Sequence, residues 1–315
     1  MSMTQSCEVC QSGSLMREPL VVVEDVPYHQ CDSCGSILVP DSHKFDLQRS
    51  QKYDAAYWEF ETRSSQERSF GSTICRIAET ILYCRVPIND FIDIGCGPGY
   101  TLDAVATLLP KYVDRFTGVE LNPPPPEYRT NNKNYKIGSV GDLPNTFQAG
   151  ICIEVIEHLS PSILEKLVEE LAAKSLPGSL YYFNSSQPEK VIRDEYEYLD
   201  PYSRGHIASY SLKGLSSLFG RHNFSIIPLF GRDWAFLAEY NTDQAERVDK
   251  ADQLLQRVWT PCQENKDILT NGGFGPVMYT MAIESARCYV EHAIKDERTQ
   301  WALDLKRRLD PHLNE

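Results

Sequence analysis

The stretch Phe91-Ile92-Asp93-Ile94-Gly95-Cys96-Gly97-Pro98-Gly99 constrains this chain more than any other. A short apolar run ends in an acid and then three alternate glycines. Glycine adopts backbone conformations closed to other residues and lets main chain approach a ligand closely. A Gly-x-Gly-x-Gly turn between a strand and a helix therefore predicts a binding crevice at the carboxyl end of a strand in an open sheet. The sequence around it supports that setting. Apolar runs predict strands at Phe91–Ile94, 116–121, 135–140, 150–154 and 180–183, and stripes at helical spacing predict helices over 101–109, from Ser160 onward and over 212–219.

Strands alternating with helices point to a parallel sheet covered on both faces. Two final apolar runs, 224–230 and 234–240, flank Gly231-Arg232-Asp233 and predict a terminal hairpin. The expected class is thus α/β, a Rossmann-like parallel sheet closed by an antiparallel pair. Four segments are expected: a metal-stapled ribbon over 1–45, a helical lid or linker over 46–87, the sheet domain over 88–241 and a helical C-terminal extension over 242–315. Within 46–87 the apolar stripe Ile74, Ile77, Ala78, Ile81 and Leu82 predicts a packing helix. In the extension, Val248, Ala251, Leu255, Val258 and Trp259 form one stripe and Met278, Met281, Ala282, Ser285 and Tyr289 another, expected as packing or subunit-contact faces of a homo-oligomer.

The acids around the glycine turn narrow the ligand. Asp93 would repel a pyrophosphate but suits a ligand that carries an ammonium group and no phosphate. S-adenosylmethionine is such a molecule. Glu120, ending the second strand, can accept both ribose hydroxyl protons, and Asp142, in Gly141-Asp142-Leu143 after the third, can take an adenine amino proton. The expected cofactor contacts are Asp93, Gly95, Gly97, Gly99, Glu120 and Asp142.

Ten cysteines are present, four of them in Cys7-Glu8-Val9-Cys10 and Cys31-Asp32-Ser33-Cys34, separated by 20 residues. Two such knuckles offer four thiolates to one tetrahedral ion, with zinc the usual occupant, and a closed site of this kind is structural. The other cysteines are scattered among apolar neighbours, which fits a reducing, cytoplasmic setting. No apolar run reaches the length of a membrane span, so no membrane partner is expected. The net charge of −13 argues against nucleic acid as a partner, because such binding draws on clustered cations.

The segments Asp93-Ile94-Gly95-Cys96-Gly97-Pro98-Gly99, Gly118-Val119-Glu120 and Glu154-Val155-Ile156-Glu157-His158-Leu159 resemble those of class I S-adenosylmethionine-dependent methyltransferases over about residues 88–240. The resemblance implies that Asp93 and the glycines hold the methionine end, Glu120 the ribose and Asp142 the adenine, with Glu154 also on the cofactor side. It departs at Gln148, where relatives often carry an acid. The ribbon, followed by Tyr53-Asp54-Ala55-Ala56-Tyr57-Trp58, resembles zinc-headed methyltransferases of bacterial glycan and sugar pathways. By that likeness Tyr57 and Trp58 close over the cofactor, or equally serve as core aromatics, and the partner is a small-molecule or glycan acceptor, methylated at oxygen.

A hydroxyl acceptor needs a base. His158 follows the fourth strand, His206 lies in the polar loop after the fifth, and with Glu157 they are the candidate catalytic groups. Glu154, Glu157, His158 and His206 also resemble the metal site of small-RNA 3′-terminal 2′-O-methyltransferases, which gives a second enzyme reading. A third is an inactive module whose ribbon recruits a partner.

Overall fold

The computed structural model describes residues 5–40, 55–229, 231–241, 254, 257–271 and 273–309. Three short strands come first: β1 (Val21–Val23), β2 (Val26–Gln30) and β3 (Ile37–Leu38). Helices α1 (Ala55–Phe70) and α2 (Ser72–Tyr83) follow, parted by Gly71. Strand and helix then alternate through β4 (Phe91–Ile94), α3 (Tyr100–Leu108), β5 (Phe116–Glu120), β6 (Tyr135–Ile137), β7 (Phe147–Ile153), α4 (Pro161–Ala173) and β8 (Ser175–Asn184). The remainder comprises α5 (Pro188–Arg193), β9 (Ala208–Ser209), α6 (Leu212–Gly220), β10 (Phe224–Pro228), β11 (Ala235–Tyr240), α7 (Gln263–Thr270) and α8 (Gly275–Leu309). Among the described residues no helix is long and apolar enough to cross a membrane.

Seven strands form the main sheet in the order β10-β11-β8-β7-β4-β5-β6. The five from β8 to β6 are parallel, and β11 runs antiparallel to both neighbours. This is the expected α/β sheet with its terminal hairpin. The chain winds outward from β4 in both directions, so β4 is the switch point where a crevice opens beyond the carboxyl ends of the strands.

Alternation along the strands splits the core into two layers. Ile92 and Ile94 pack with Leu164, Val168 and Leu171 of α4 and Leu215, Leu218 and Phe219 of α6. Phe91 packs on the other face with Ile74, Ile77 and Ile81 of α2. All five residues of the α2 stripe are buried. Met278, Ala282 and Ala286, one helical turn apart on α8, join that second layer, whereas Trp301 further along α8 is exposed. Val248, Ala251 and Leu255 of the other expected stripe lie outside the described residues.

Several strand ends differ from expectation, β7 beginning at Phe147 and β10 ending at Pro228 among them, and two have a local feature beside them. β6 stops at Ile137 because Gly138 takes φ +140° and a reciprocal Ser139–Asp142 capping box starts a turn. β8 begins earlier, at Ser175, its register against β7 shifting between Phe147 and Ala149. Gln148, the position at which the resemblance departs, is buried, and its Oε1 accepts from the N–H groups of Asn89 and Asp90, both at 2.8 Å.

The ribbon is sewn into the larger unit. β1, β2 and β3 form a sheet completed by β9, with Ile37 opposite Ser209 and Leu38 opposite Ala208. Ser211 caps α6 by accepting from Gly214 N–H, and its hydroxyl donates to the Cys34 carbonyl at 2.6 Å. At Gly214 a Cβ would lie 2.5 Å from Ser36 Oγ and 3.0 Å from Val9 Cγ1. In an open helix, alanine for glycine gains up to about 1 kcal/mol. Here the overpacking cost of about 1–3 kcal/mol outweighs it. Gly214→Ala is therefore predicted to lower the urea midpoint of unfolding; an unchanged or raised midpoint would mean the ribbon is not packed this tightly on α6.

Candidate active site

The glycine turn is held open by its backbone. Gly95, Gly97 and Gly99 all have positive φ, at 66°, 53° and 78°. A Cβ on Gly95 would sit 2.6 Å from Val155 Cγ2, so any side chain there collides with the segment after β7. At Gly97 the nearest neighbour is the Trp58 ring, 3.7 Å from where a Cβ would stand, which places α1 across the turn. Tyr57 lies on the same helix, but its side chain is outside the described residues.

Parallel pairing brings the acids to one edge. Asp93 stands opposite Gly118 of β5 and Ile151 of β7, and Glu120 closes β5 two residues further on. The Glu120 carboxylate accepts from Gly97 N–H at 2.9 Å and from Asn122 N–H at 2.8 Å, tying the glycine turn to the end of β5. Burial pushes the Asp93 carboxyl up to about 7; the Glu120 charge adds to this, and a hydrogen bond from Thr101 opposes it. Thr101, at the start of α3, was not evident in the sequence; it is set by the helix that follows the turn.

Asp142 is placed differently from its neighbours. Gly138, Ser139 and Val140 line the main crevice, whereas Asp142 lines an adjacent hollow with Tyr135 and Lys136. Its carboxylate accepts from Ser139 N–H at 2.8 Å, and hydrogen bonds from Ser139 hold the group below its ordinary range.

The candidate catalytic residues converge beyond β7. Glu154 has φ +53°, a left-handed conformation that costs a non-glycine residue on the order of 1–3 kcal/mol and turns the chain sharply off the strand. Its carboxylate accepts from Asn184 Nδ2 at the end of β8 and from the Tyr198 hydroxyl, the latter at 3.3 Å. The polar run Asn184-Ser185-Ser186 after an apolar strand was the available sequence signal for Asn184. Glu157 is fully buried, with neither carboxyl oxygen in hydrogen-bonding geometry to a described residue. Burial, then the Glu154 charge, pushes its carboxyl well above the ordinary range.

The two histidines meet edge to face, their ring centroids 4.8 Å apart. His206 Nδ1 is 2.7 Å from the Tyr198 carbonyl, and His158 Nδ1 is 3.2 Å from that of Gly205. A carbonyl can only accept, so each Nδ1 carries the proton and Nε2 is the basic nitrogen of the neutral ring. Ligand atoms of Glu157, His158 and His206 all fall within 4.8 Å of one another. The ribbon reaches this cluster directly: the buried Tyr28 hydroxyl of β2 donates to the His206 carbonyl at 2.7 Å.

One crevice of about 1030 Å³ is lined by residues of α1 and α2, the glycine turn, Glu154, His158, Tyr198 and His206, whereas Glu157 lies buried outside its lining. Separately, the four ribbon thiols are buried and mutually within 4.8 Å, with Cys7 and Cys34 Sγ 3.9 Å apart and Cys10 and Cys31 Sγ 3.7 Å apart. Zinc–sulfur bonds of about 2.3 Å in a tetrahedron set sulfurs roughly 3.8 Å apart, so the donor set fits that ion.

Solved structures are similar to this chain at low identity. An S-adenosylmethionine-bound amino pentose methyltransferase from Micromonospora echinaspora, CalS10, is 16% identical, with 57% of this chain and 94% of that one covered at a TM-score of 0.42. DesVI from Streptomyces venezuelae is 14% identical (59% and 98% covered, TM-score 0.44). A SAM-dependent methyltransferase from Archaeoglobus fulgidus is 17% identical (58% and 99% covered, TM-score 0.43). A search of curated protein sequences finds no match. The sequence profile described as a methyltransferase domain matches residues 64–229, from the middle of α1 to just past β10. That match spans more than half of the chain, and by it the protein belongs to the methyltransferase-domain family: it is an S-adenosylmethionine-dependent methyltransferase.

Proposed function

We propose that the enzyme methylates a hydroxyl of a sugar, a nucleotide-linked sugar or another small acceptor. The observation that carries this reading is the pair of histidines, each with Nδ1 committed to a carbonyl, in the same crevice as the glycine turn. S-adenosylmethionine, when bound, supplies an electrophilic methyl group on a cationic sulfur. Asp93 and the backbone of Gly95, Gly97 and Gly99 take its methionine end, Glu120 the ribose hydroxyls, and Glu154 lies at the boundary with the acceptor. Asp142 acts through the Ser139–Val140 turn that it caps, and that turn meets the adenine. His206 Nε2 accepts the acceptor's hydroxyl proton as the new O–C bond forms and the C–S bond breaks, its electron pair staying on sulfur. His158 buttresses that ring. The four ribbon thiolates hold a structural zinc ion.

A second reading, in which Glu154, Glu157, His158 and His206 bind a divalent cation that takes the acceptor's hydroxyls, draws on the closeness of Glu157, His158 and His206 to one another, Glu154 standing outside that group of three. This is the RNA-end reading, against which the charge of −13 weighs. Metal analysis of the purified protein separates the two. The first predicts one equivalent of zinc, lost in Cys34→Ser; a second divalent equivalent, lost in His206→Ala, would favour the other.

Cofactor affinity is expected to depend on pH through Asp93. Its carboxyl, pushed up to about 7, must give up its proton to pair with the cofactor's ammonium group. Below about pH 7 the proton competes, and calorimetric affinity for S-adenosylmethionine falls about tenfold per unit; above it the affinity levels off. Asp93→Asn should bind weakly and without that slope. A wild-type affinity that stays flat from about pH 5 to 8 would remove Asp93 from the site.

His206→Ala is expected to lower turnover by about 10²–10⁴-fold while S-adenosylmethionine affinity holds. Turnover is read as labelled-methyl transfer across a panel of nucleotide-linked sugars. Unaltered turnover would exclude His206 as the base.

A further inference from the structure

The crevice carries four cationic side chains, more than the single carboxylate of the methyl donor can use. Arg68, Arg76, Lys166 and Arg204 are its lysine and arginine linings. Three of them face a carboxylate: Arg68 with Glu61 at 2.9 Å, Lys166 with Glu170 at 3.8 Å and Arg204 with Asp200 at 4.0 Å. Arg76 does not. Among the described residues its hydrogen-bond partner is the Ser72 hydroxyl, at 3.1 Å, and its buried Nε has none.

The surroundings of Arg76 explain why the chain tolerates it. Its guanidinium stands 5.3 Å from the Trp234 ring centroid, a cation–π contact that partly compensates the lost hydration. Arg232 stands 5.6 Å from the same ring and is neutralised by both oxygens of Glu79, at 2.8 and 2.9 Å. Glu79, three residues further along α2, is thus already committed. Arg76 is half-buried, with its Nε shut off from solvent and no carboxylate paired with it among the described residues, so the position favours an anion that arrives with a ligand.

That anion would arrive on the acceptor side. The Trp234 carbonyl accepts from Ser185 N–H, just past β8, and the Ser185 hydroxyl is 3.5 Å from that of Tyr198, which donates to Glu154. Arg76 is therefore linked to the histidine end of the crevice through a short run of contacts. At about 1030 Å³ the crevice is at the upper limit of small-molecule sites, about 300–1,000 Å³, and can hold an acceptor beside the cofactor.

We propose that the acceptor is an anion and that Arg76 grips its phosphoryl or carboxylate group while the hydroxyl to be methylated faces His206. A guanidinium presents paired N–H donors that match either group. The inference rests on the proposed acceptor site but is tested without turnover, so failure of the base assignment leaves it standing. The test is calorimetric titration of the full-length enzyme, saturated with S-adenosylhomocysteine, with inorganic pyrophosphate in one arm and D-glucuronate in the other. Saturable binding in the pyrophosphate arm identifies a phosphorylated or nucleotide-linked acceptor; binding in the glucuronate arm identifies an acidic sugar. Arg76→Met is expected to weaken that binding by about tenfold or more, as loss of a charge-assisted pair does. Its S-adenosylhomocysteine affinity should be unchanged, and Arg76→Lys should recover part of the loss; a fall in S-adenosylhomocysteine affinity would assign Arg76 to the donor's own carboxylate and overturn the proposal. If Arg76→Met does not fold, Arg76→Gln replaces it in the same comparison. Binding of neither anion by the wild type, or equal binding by the charge-removing variant, would overturn the proposal.

Discussion

Everything in the crevice depends on β4 being hydrogen-bonded in parallel to β5 on one side and to β7 on the other. Parallel register sends all three carboxyl ends to the same edge. There Asp93, Glu120 and Glu154 stand within a few residues of the same level. The N–H groups of Gly95 and Cys96 both donate to the Val119 carbonyl, and the Tyr135 hydroxyl donates to that of Gly97. The bond from Gly97 N–H to Glu120 adds a side-chain tie from the turn to the end of β5. An acid that could serve the ligand is thus also a strut for the loop that meets it. Burial of Asp93 next to Glu120 gives the same edge its electrostatic character: a site short of positive charge, suited to a cationic sulfonium with an ammonium group.

A second constraint acts from outside the sheet. The segment that carries His206 continues into β9, which pairs with β3 of the ribbon, and then into Ser211, which bonds to the Cys34 carbonyl. Tyr28 fixes the His206 carbonyl from the same side. The loop that carries His206 buries Val191, Leu199 and Ile207 in one cluster with Val26, Tyr28, Ile37 and Val39, so its order depends on that contact. The ribbon supplies it. Its four buried thiols lie next to the strands that make these contacts, so a metal bound there would stiffen the loop as well as the ribbon.

Much of this was legible in the residues. The glycine turn, the succession of strands and helices along the chain, the terminal hairpin and the two cysteine pairs are local patterns, and local patterns survive in sequence. What was not legible is relational. Nothing near Ser209 announces a partner at Ile37, since a two-residue strand has no period to read. Asp142 looks like a ligand contact in one dimension, yet its carboxylate closes a capping box with Ser139, three residues away. Arg76 sits at an unremarkable place on an amphipathic helix. Its character comes from which acids are already taken, and that is decided by the fold.

The central claim is that the edge formed by β4, β5 and β7 is the cofactor site and that the histidine cluster faces the transferred methyl group. A crystal structure with S-adenosylhomocysteine tests it most directly. The account predicts the amino-acid moiety against Asp93 and the glycine turn, the ribose on Glu120 and the sulfur facing the His206 side of the crevice. A ligand lodged elsewhere, or one lying in this crevice with its sulfur turned away from the histidines, would contradict it.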